Sequence, residues 1–307
     1  MSISPNQTVE QLRAEFAVPG LTFQRGPGGL PRACIDTPLA RALIYLHGAH
    51  VAAFQPAGHE PVLFTSAASL YQPGRPIRGG VPVIFPWFGP RAGHPESPIH
   101  GFVRQVSWTL TEARHQADGS LLLQMRLADD AQMRQQWPHA FELRYAVAVG
   151  RSLRLALTVV NGASEPFTFD SALHTYFAVG DVRQASVSGL AGATYLDKTD
   201  AMRRKVQDSR PITFTAETDR LYVNTTATCV LHDPVLGRRI VVEKKGSRST
   251  VVWNPWIAKA RAMPDFGDDE WPRMLCIETA NAADNAVTLP PGRQHFMEVQ
   301  IGVEGRP

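Results

Sequence analysis

The residues most able to do chemistry sit in four short blocks. The first is Pro76-Ile77-Arg78-Gly79-Gly80-Val81-Pro82-Val83-Ile84-Phe85-Pro86-Trp87-Phe88-Gly89-Pro90, where one cation enters beside two glycines that leave room for a close-approaching ligand. Ten residues further on, Ile99-His100-Gly101-Phe102-Val103-Arg104 brings a second arginine and a histidine. A planar guanidinium fork suits a phosphate or carboxylate, so Arg78 and Arg104 together point to an anion. The third block is Asp170-Ser171-Ala172-Leu173-His174-Thr175-Tyr176-Phe177, with an imidazole set among small and aromatic neighbours. In the fourth, Leu275-Cys276-Ile277-Glu278-Thr279-Ala280-Asn281, a glutamate lies inside an apolar run, where a carboxylate is costly unless paired or used. His174 and Glu278 on separate strands are able to supply an acid and a base to one bound ring. The competing readings are a proline-rich packing corner, a satisfied core histidine and a carboxylate tied to a neighbouring amide or arginine.

The elements that position these blocks read as strands. Prolines in the first block each remove a backbone donor, so that block is neither a helix nor a central strand; it is a stiff extended wall. Phe141, Leu143, Tyr145, Val147 and Val149 alternate, and Leu153, Leu155, Leu157 and Val159 repeat the period after Gly150-Arg151, read as a two-residue hairpin turn with glycine first. Further strands are expected at 41–46, 106–112, 121–127, 239–243, 250–253 and 296–303. Thr8-Val9-Glu10-Gln11 is a capping box opening a short N-terminal helix, and 128–136 is expected to form another. The stretch 257–273 lacks a strand pattern and reads as a long loop covering something. Many short strands with glycine, proline and aspartate turns imply antiparallel sheets packed face to face. Without repeats or linkers, residues 1–307 read as one domain with residues 1–20 as a helical lead-in.

Composition removes several functional classes. Charged residues make up 19% and hydrophobic ones 44% of 307 residues, a folded composition, and a scattered net charge of +3 gives no nucleic-acid footprint. Cys34, Cys229 and Cys276 are an odd, widely spaced set, which argues against a zinc or disulfide framework and for a reducing compartment. No signal pattern and no long apolar run stand out, so a cytoplasmic protein without membrane contact is expected. His47 and His50 read as turn-shaping residues, not metal ligands, and Arg75 as solvated.

In order and spacing, the Arg-Gly-Gly-Val-Pro…Phe-Pro-Trp-Phe-Gly, Leu-His-Thr-Tyr-Phe, Trp253-Asn254-Pro255-Trp256 and Glu278 blocks resemble the hexose-6-phosphate mutarotases of the aldose 1-epimerase superfamily over roughly residues 33–303. The resemblance implies an all-β fold, a large antiparallel β-sandwich of the galactose-mutarotase type, and interconversion of the α and β anomers of a hexose 6-phosphate by a monomer without metal or organic cofactor. It implies His174 as the acid on the ring oxygen, Glu278 as the base on the C1 hydroxyl, Arg78 and Arg104 as phosphate ligands, Asp197 as acceptor from sugar hydroxyls and His100 near the ring. Ile99 stands where some relatives carry a substrate-contacting glutamine. A mutarotase of neutral aldoses, a sugar-phosphate sensor without catalysis, and a hydrolase or lyase on a similar sandwich are the alternatives.

Overall fold

The computed structural model describes residues 7–305; the first six residues of the lead-in expected at 1–20 lie outside them. Two large antiparallel sheets carry the fold. One has nine strands, in the order Ile212–Thr213, Ser186–Ser188, Cys229–Asp233, Arg238–Lys245, Gln294–Glu304, Leu153–Asn161, Phe141–Val149, Leu121–Ala128 and Thr109–His115. Its strands alternate buried and solvent-facing residues, as Leu153–Asn161 shows at every position. Such a sheet buries one face and gives the other to water.

The second sheet has eight strands and differs in kind. Its central members, Ser249–Asn254 and Met274–Asn281, are buried at every position. Leu275 and Ile277 face the main core, and strand alternation turns Cys276, Glu278 and Ala280 to the other face, where Cys276 and Glu278 meet His174. The proline-rich wall extends this sheet at its edge and lays Phe88 over Ile84, Ala172 and Ala280 on that second face. Val83–Ile84 forms the edge strand, pairing with Ser171–Leu173. Prolines fit there because the carbonyls of Pro82 and Pro86 only have to accept, from His174 N–H at 3.0 Å and Asp170 N–H at 2.9 Å. A four-stranded sheet, Leu21–Arg25 to His50–Pro56, braces the wall from behind through a Val51–Val81 bridge. One hydrophobic cluster runs from Val9 through both large sheets to Ile301.

The alternation predicts the strands well, and several local expectations shift. Val149 pairs with Leu153, so Gly150, Arg151 and Ser152 form a three-residue connection closed by Gly150 N–H to the Ser152 carbonyl at 3.0 Å. Gly150 is not in the left-handed region, so the glycine-first two-residue turn is not the one used. The strand expected at 106–112 is Thr109–His115, with a register shift between Leu110 and Glu112. Thr8 does cap the helix Val9–Glu15. The second helix is Ala131–Gln136, capped by Asp130, because Ala128 still belongs to a strand. The expected loop at 257–273 contains a helix, Trp256–Ala262, and a 3-10 turn at Trp271–Arg273. Ala260 is the helix's buried residue, so no apolar stripe marks it in the sequence.

Two glycines set how closely the wall can approach. A Cβ on Gly80, at φ +57°, would lie 2.3 Å from the Val51 carbonyl oxygen, and one on Gly101, at φ +69°, 1.9 Å from the Phe85 carbonyl oxygen. Gly101→Ala should therefore cost about 2–4 kcal/mol in urea unfolding, combining left-handed strain with displaced backbone. A loss below about 0.5 kcal/mol would show that the wall tolerates a wider gap.

Candidate active site

His174 falls in the break between the strands Ser171–Leu173 and Tyr176–Ala178, both of which pair with Met274–Asn281. The register Leu173↔Thr279 and Tyr176↔Cys276, carried across that break, puts His174 directly opposite Glu278. The imidazole Nε2 lies 3.3 Å from Glu278 Oε1. His174 is 6% exposed and Glu278 1%. His174 stacks on Tyr176 with rings 4.8 Å apart, and Trp253 and His100 meet it edge-on. Neither residue is a satisfied core group: His174 Nδ1 and Glu278 Oε2 are buried without a hydrogen-bond partner. No backbone amide or arginine takes up the Glu278 carboxyl among the described residues.

Burial sets the protonation of this pair. It lowers the His174 pKa well below its ordinary value, and the positive charges of Arg104, Arg78 and Lys198 lower it further. Burial likewise raises Glu278 well above the carboxylate range. The neutral imidazole and the protonated carboxyl are thus the favoured forms, the reverse of the starting states that an acid role for His174 and a base role for Glu278 require. Both descriptions hold one proton between the two groups, which is the coupled behaviour expected of such a pair.

Charged groups surround it. Arg78 donates from Nε and Nη2 to the two oxygens of Asp265, at 3.2 and 3.1 Å, and from Nη1 to the Tyr176 hydroxyl at 3.1 Å. Arg104, 8% exposed, donates from Nη2 to the Ile99 carbonyl at 2.7 Å while its Nε stays buried without a partner. Burial, with Arg78 nearby, lowers its pKa to about 10. His100 Nδ1 accepts from Gly89 N–H at 3.0 Å, which leaves Nε2 as its donor. Ile99 itself is 56% exposed and contributes its carbonyl, not its side chain, to Arg104.

Asp197 is not brought to the pair. It pairs with Arg220 in the ladder, one residue out of step with Asp219, so its side chain leaves the opposite face of the sheet. Its oxygens accept from Thr199 and from Lys205 Nζ at 2.8 Å, inside a turn. The residues on the site face are Lys198 and Asp219, bridged at 3.0 Å. Asp219, Trp253, Cys276 and Tyr176 form one cross-strand row beneath the pair. Lys198 also lies over the Phe88 ring at 5.2 Å, and Phe88 packs on Ile84, Ala172 and Ala280.

His47 and His50 are buried away from any ligand cluster, and His47 Nε2 lies 2.7 Å from the Arg75 carbonyl. One group among the described residues has ligand atoms near enough to share a metal ion: His174, Cys276 and Glu278, within 4.8 Å of one another. Sequence spacing hides it because His174 arrives from another strand. A metal there would occupy the atoms between which the proton is shared.

A sandwich of antiparallel sheets that buries an imidazole beside a carboxyl group is an arrangement that fits the aldose 1-epimerase class. The chain belongs to the aldose 1-epimerase family, whose sequence profile matches residues 32–302. A protein of Escherichia coli named as a candidate glucose-6-phosphate 1-epimerase is 38% identical over 250 residues, 81% of this chain and 83% of its own. The crystal structure of a candidate mutarotase from Salmonella typhimurium superposes with a TM-score of 0.88 at 32% identity, covering 95% of this chain and 96% of that one. The galactose 1-epimerase of Lactobacillus acidophilus, at 11% identity and a TM-score of 0.72 over 94% and 99% of the two chains, shares the fold.

The raised Glu278 pKa carries a stability consequence. Below pH 4.5, its ordinary value, the carboxyl is protonated in both folded and unfolded chains. Above it the unfolded chain releases the proton and the folded chain does not, so stability is lost as pH rises toward the folded pKa. Glu278→Gln removes this loss. Its Tm should exceed the wild type's by about 2 °C or more at pH 8, with the gap closing at pH 4. Equal gaps at both pH values in thermal unfolding would contradict the assignment.

Proposed function

We propose that this protein interconverts the α and β anomers of a hexose 6-phosphate, with D-glucose 6-phosphate as substrate. The observation that carries this reading is the 3.3 Å contact of His174 with Glu278 beneath two arginines. In a cyclic hemiacetal the ring oxygen and the C1 hydroxyl sit on the same carbon. Groups that serve both at once must therefore be neighbours, as these are. The anionic preference rests on the rim arginines and on the names of the relatives. Three free cysteines support a cytoplasmic setting.

In the proposed reaction His174 Nε2 delivers its proton to the ring oxygen as the C1–O5 electron pair moves onto that oxygen. Glu278 takes the C1 hydroxyl proton, and C1 becomes a carbonyl carbon. The open aldehyde then faces a neutral imidazole and a protonated carboxyl, the forms that burial favours. Rotation about C1–C2 and reversal of both transfers close the other anomer. His100, with Nε2 as donor, and Lys198 and Asp219 on the site face supply the nearest hydroxyl contacts.

A mutarotase for neutral aldoses is the second reading, favoured by one observation: Arg78 is already engaged by Asp265 and Tyr176. Exchange NMR on glucose 6-phosphate and on free glucose, side by side, separates the two. The phosphorylated sugar is expected to exchange faster by about tenfold or more, the worth of a charge-assisted contact. Equal rates would favour the neutral substrate. His174→Asn and Glu278→Gln should each slow exchange by roughly 10²–10⁴-fold. A folded variant of either kind with near wild-type exchange would remove that residue from the mechanism.

A further inference from the structure

Beside the catalytic pair lies a thiol that the proposed reaction does not use. Cys276 stands two residues before Glu278 on Met274–Asn281, so strand alternation turns both side chains to one face. His174 joins them from the neighbouring strand pair, and one donor atom from each of the three lies within 4.8 Å of the others. The 3.3 Å between His174 Nε2 and Glu278 Oε1 is already the edge of a zinc tetrahedron, whose nitrogen and oxygen ligands at about 2.0–2.2 Å stand about 3.4 Å apart. A thiolate about 2.3 Å from the metal needs edges near 3.6 Å, so Cys276 Sγ has little more than about 1 Å to close. Nothing ties the second carboxyl oxygen elsewhere: Glu278 Oε2 is buried without a hydrogen-bond partner.

The donor set selects the metal. Thiolate, imidazole and carboxylate together suit zinc, whereas magnesium favours all-oxygen sites. Zn²⁺ with one thiolate and one carboxylate is neutral overall, which lowers the cost of burying the ion. His174 is the member that reaches the surface, 6% exposed against 1% for Glu278 and 0% for Cys276, so an ion enters past the imidazole. The support that a resident metal has is missing. A ligating imidazole ordinarily donates its second N–H to a carboxylate or carbonyl, and His174 Nδ1 has no such partner. The trio suits a visiting ion, not a cofactor.

We propose that His174, Cys276 and Glu278 form an inhibitory zinc site, in which the ion takes the two atoms that pass the proton. Binding sends the Cys276 thiol proton and the proton shared by His174 and Glu278 to solvent, and no electron is exchanged. Three protein ligands leave the fourth position to water. The inhibition rests on the anomer-exchange reading above; the site itself does not.

The test is anomer exchange of glucose 6-phosphate with graded zinc chloride, beside a magnesium chloride series. Zinc should inhibit the wild type saturably, EDTA should restore the full rate, and magnesium should change nothing. With each rate referred to the same protein without zinc, Cys276→Ser should need about tenfold more zinc or higher for half inhibition, since even an outer partner of a metal ligand is worth that much. Independently of turnover, cobalt chloride should give a thiolate-to-cobalt charge-transfer band in the near ultraviolet, absent in Cys276→Ser. Glu278→Gln, which keeps the thiol, should raise the cobalt level for half saturation by about tenfold or more. Activation by zinc, or equal zinc sensitivity in the wild type and Cys276→Ser, overturns the proposal. So does a missing cobalt band, one that survives in Cys276→Ser and so belongs to Cys34 or Cys229, or one whose saturation Glu278→Gln leaves unmoved. Absence of anomer exchange in the metal-free wild type would sink the reading of its function, while the cobalt band still decides the site.

Discussion

A carboxyl group buried in the middle of a strand that is itself buried on both faces is the constraint from which the rest of the site follows. Glu278 lies on Met274–Asn281, where no position reaches solvent. Holding it there without a cation in contact raises its affinity for a proton, and that proton needs somewhere to go. His174 is within reach, and it stands opposite because the strand pair keeps its register through a break. At the break Thr175 N–H turns back to the Leu173 carbonyl at 3.0 Å, while His174 N–H carries the ladder on to the Pro82 carbonyl at the sheet edge, also at 3.0 Å. The proline wall thus holds the backbone of His174 in line on the side away from Glu278.

The same burial tilts the reaction. In the proposed reaction, the favoured neutral imidazole and protonated carboxyl match the ring-opened aldehyde, so the cost lies in passing the proton from Glu278 to His174 and is recovered as the ring opens. The paired charges around it, Lys198 with Asp219 and Arg78 with Asp265, set fixed local dipoles beside the pair.

Much of this was legible in the sequence. Period-two alternation marked the hairpin strands, and the wall, the Leu-His-Thr-Tyr-Phe block and the buried glutamate stood out by residue type. What stayed hidden depended on parity and on contacts distant in sequence. Asp197 and Lys198 are adjacent, and only the pairing register shows that Lys198, not Asp197, shares the face of Asp219. Asp265 sits in a segment without periodicity, so nothing local tied it to Arg78, 187 residues away. Tyr176 and Cys276 were visible within quoted blocks, but their place beneath the pair comes from cross-strand rows that a single chain does not print. The Gly150 turn was misjudged because glycine there is compatible with more than one hairpin geometry.

Glu270 gives the rim its mechanical character. One buried carboxylate accepts from the Ser66 hydroxyl, from Ala67 N–H and from Gly267 N–H, so it fastens the segment preceding the wall to the loop that carries Asp265. Arg78 hangs between those two segments, its backbone N–H on Ser69 and its guanidinium on Asp265. The arginine and its counterion are thus carried by one body, and a displacement of either segment moves both. Inserted or deleted residues in the loop would be felt at Arg78 as a change of position, not of charge. Substrate range in such a fold can drift through residues that never touch a sugar.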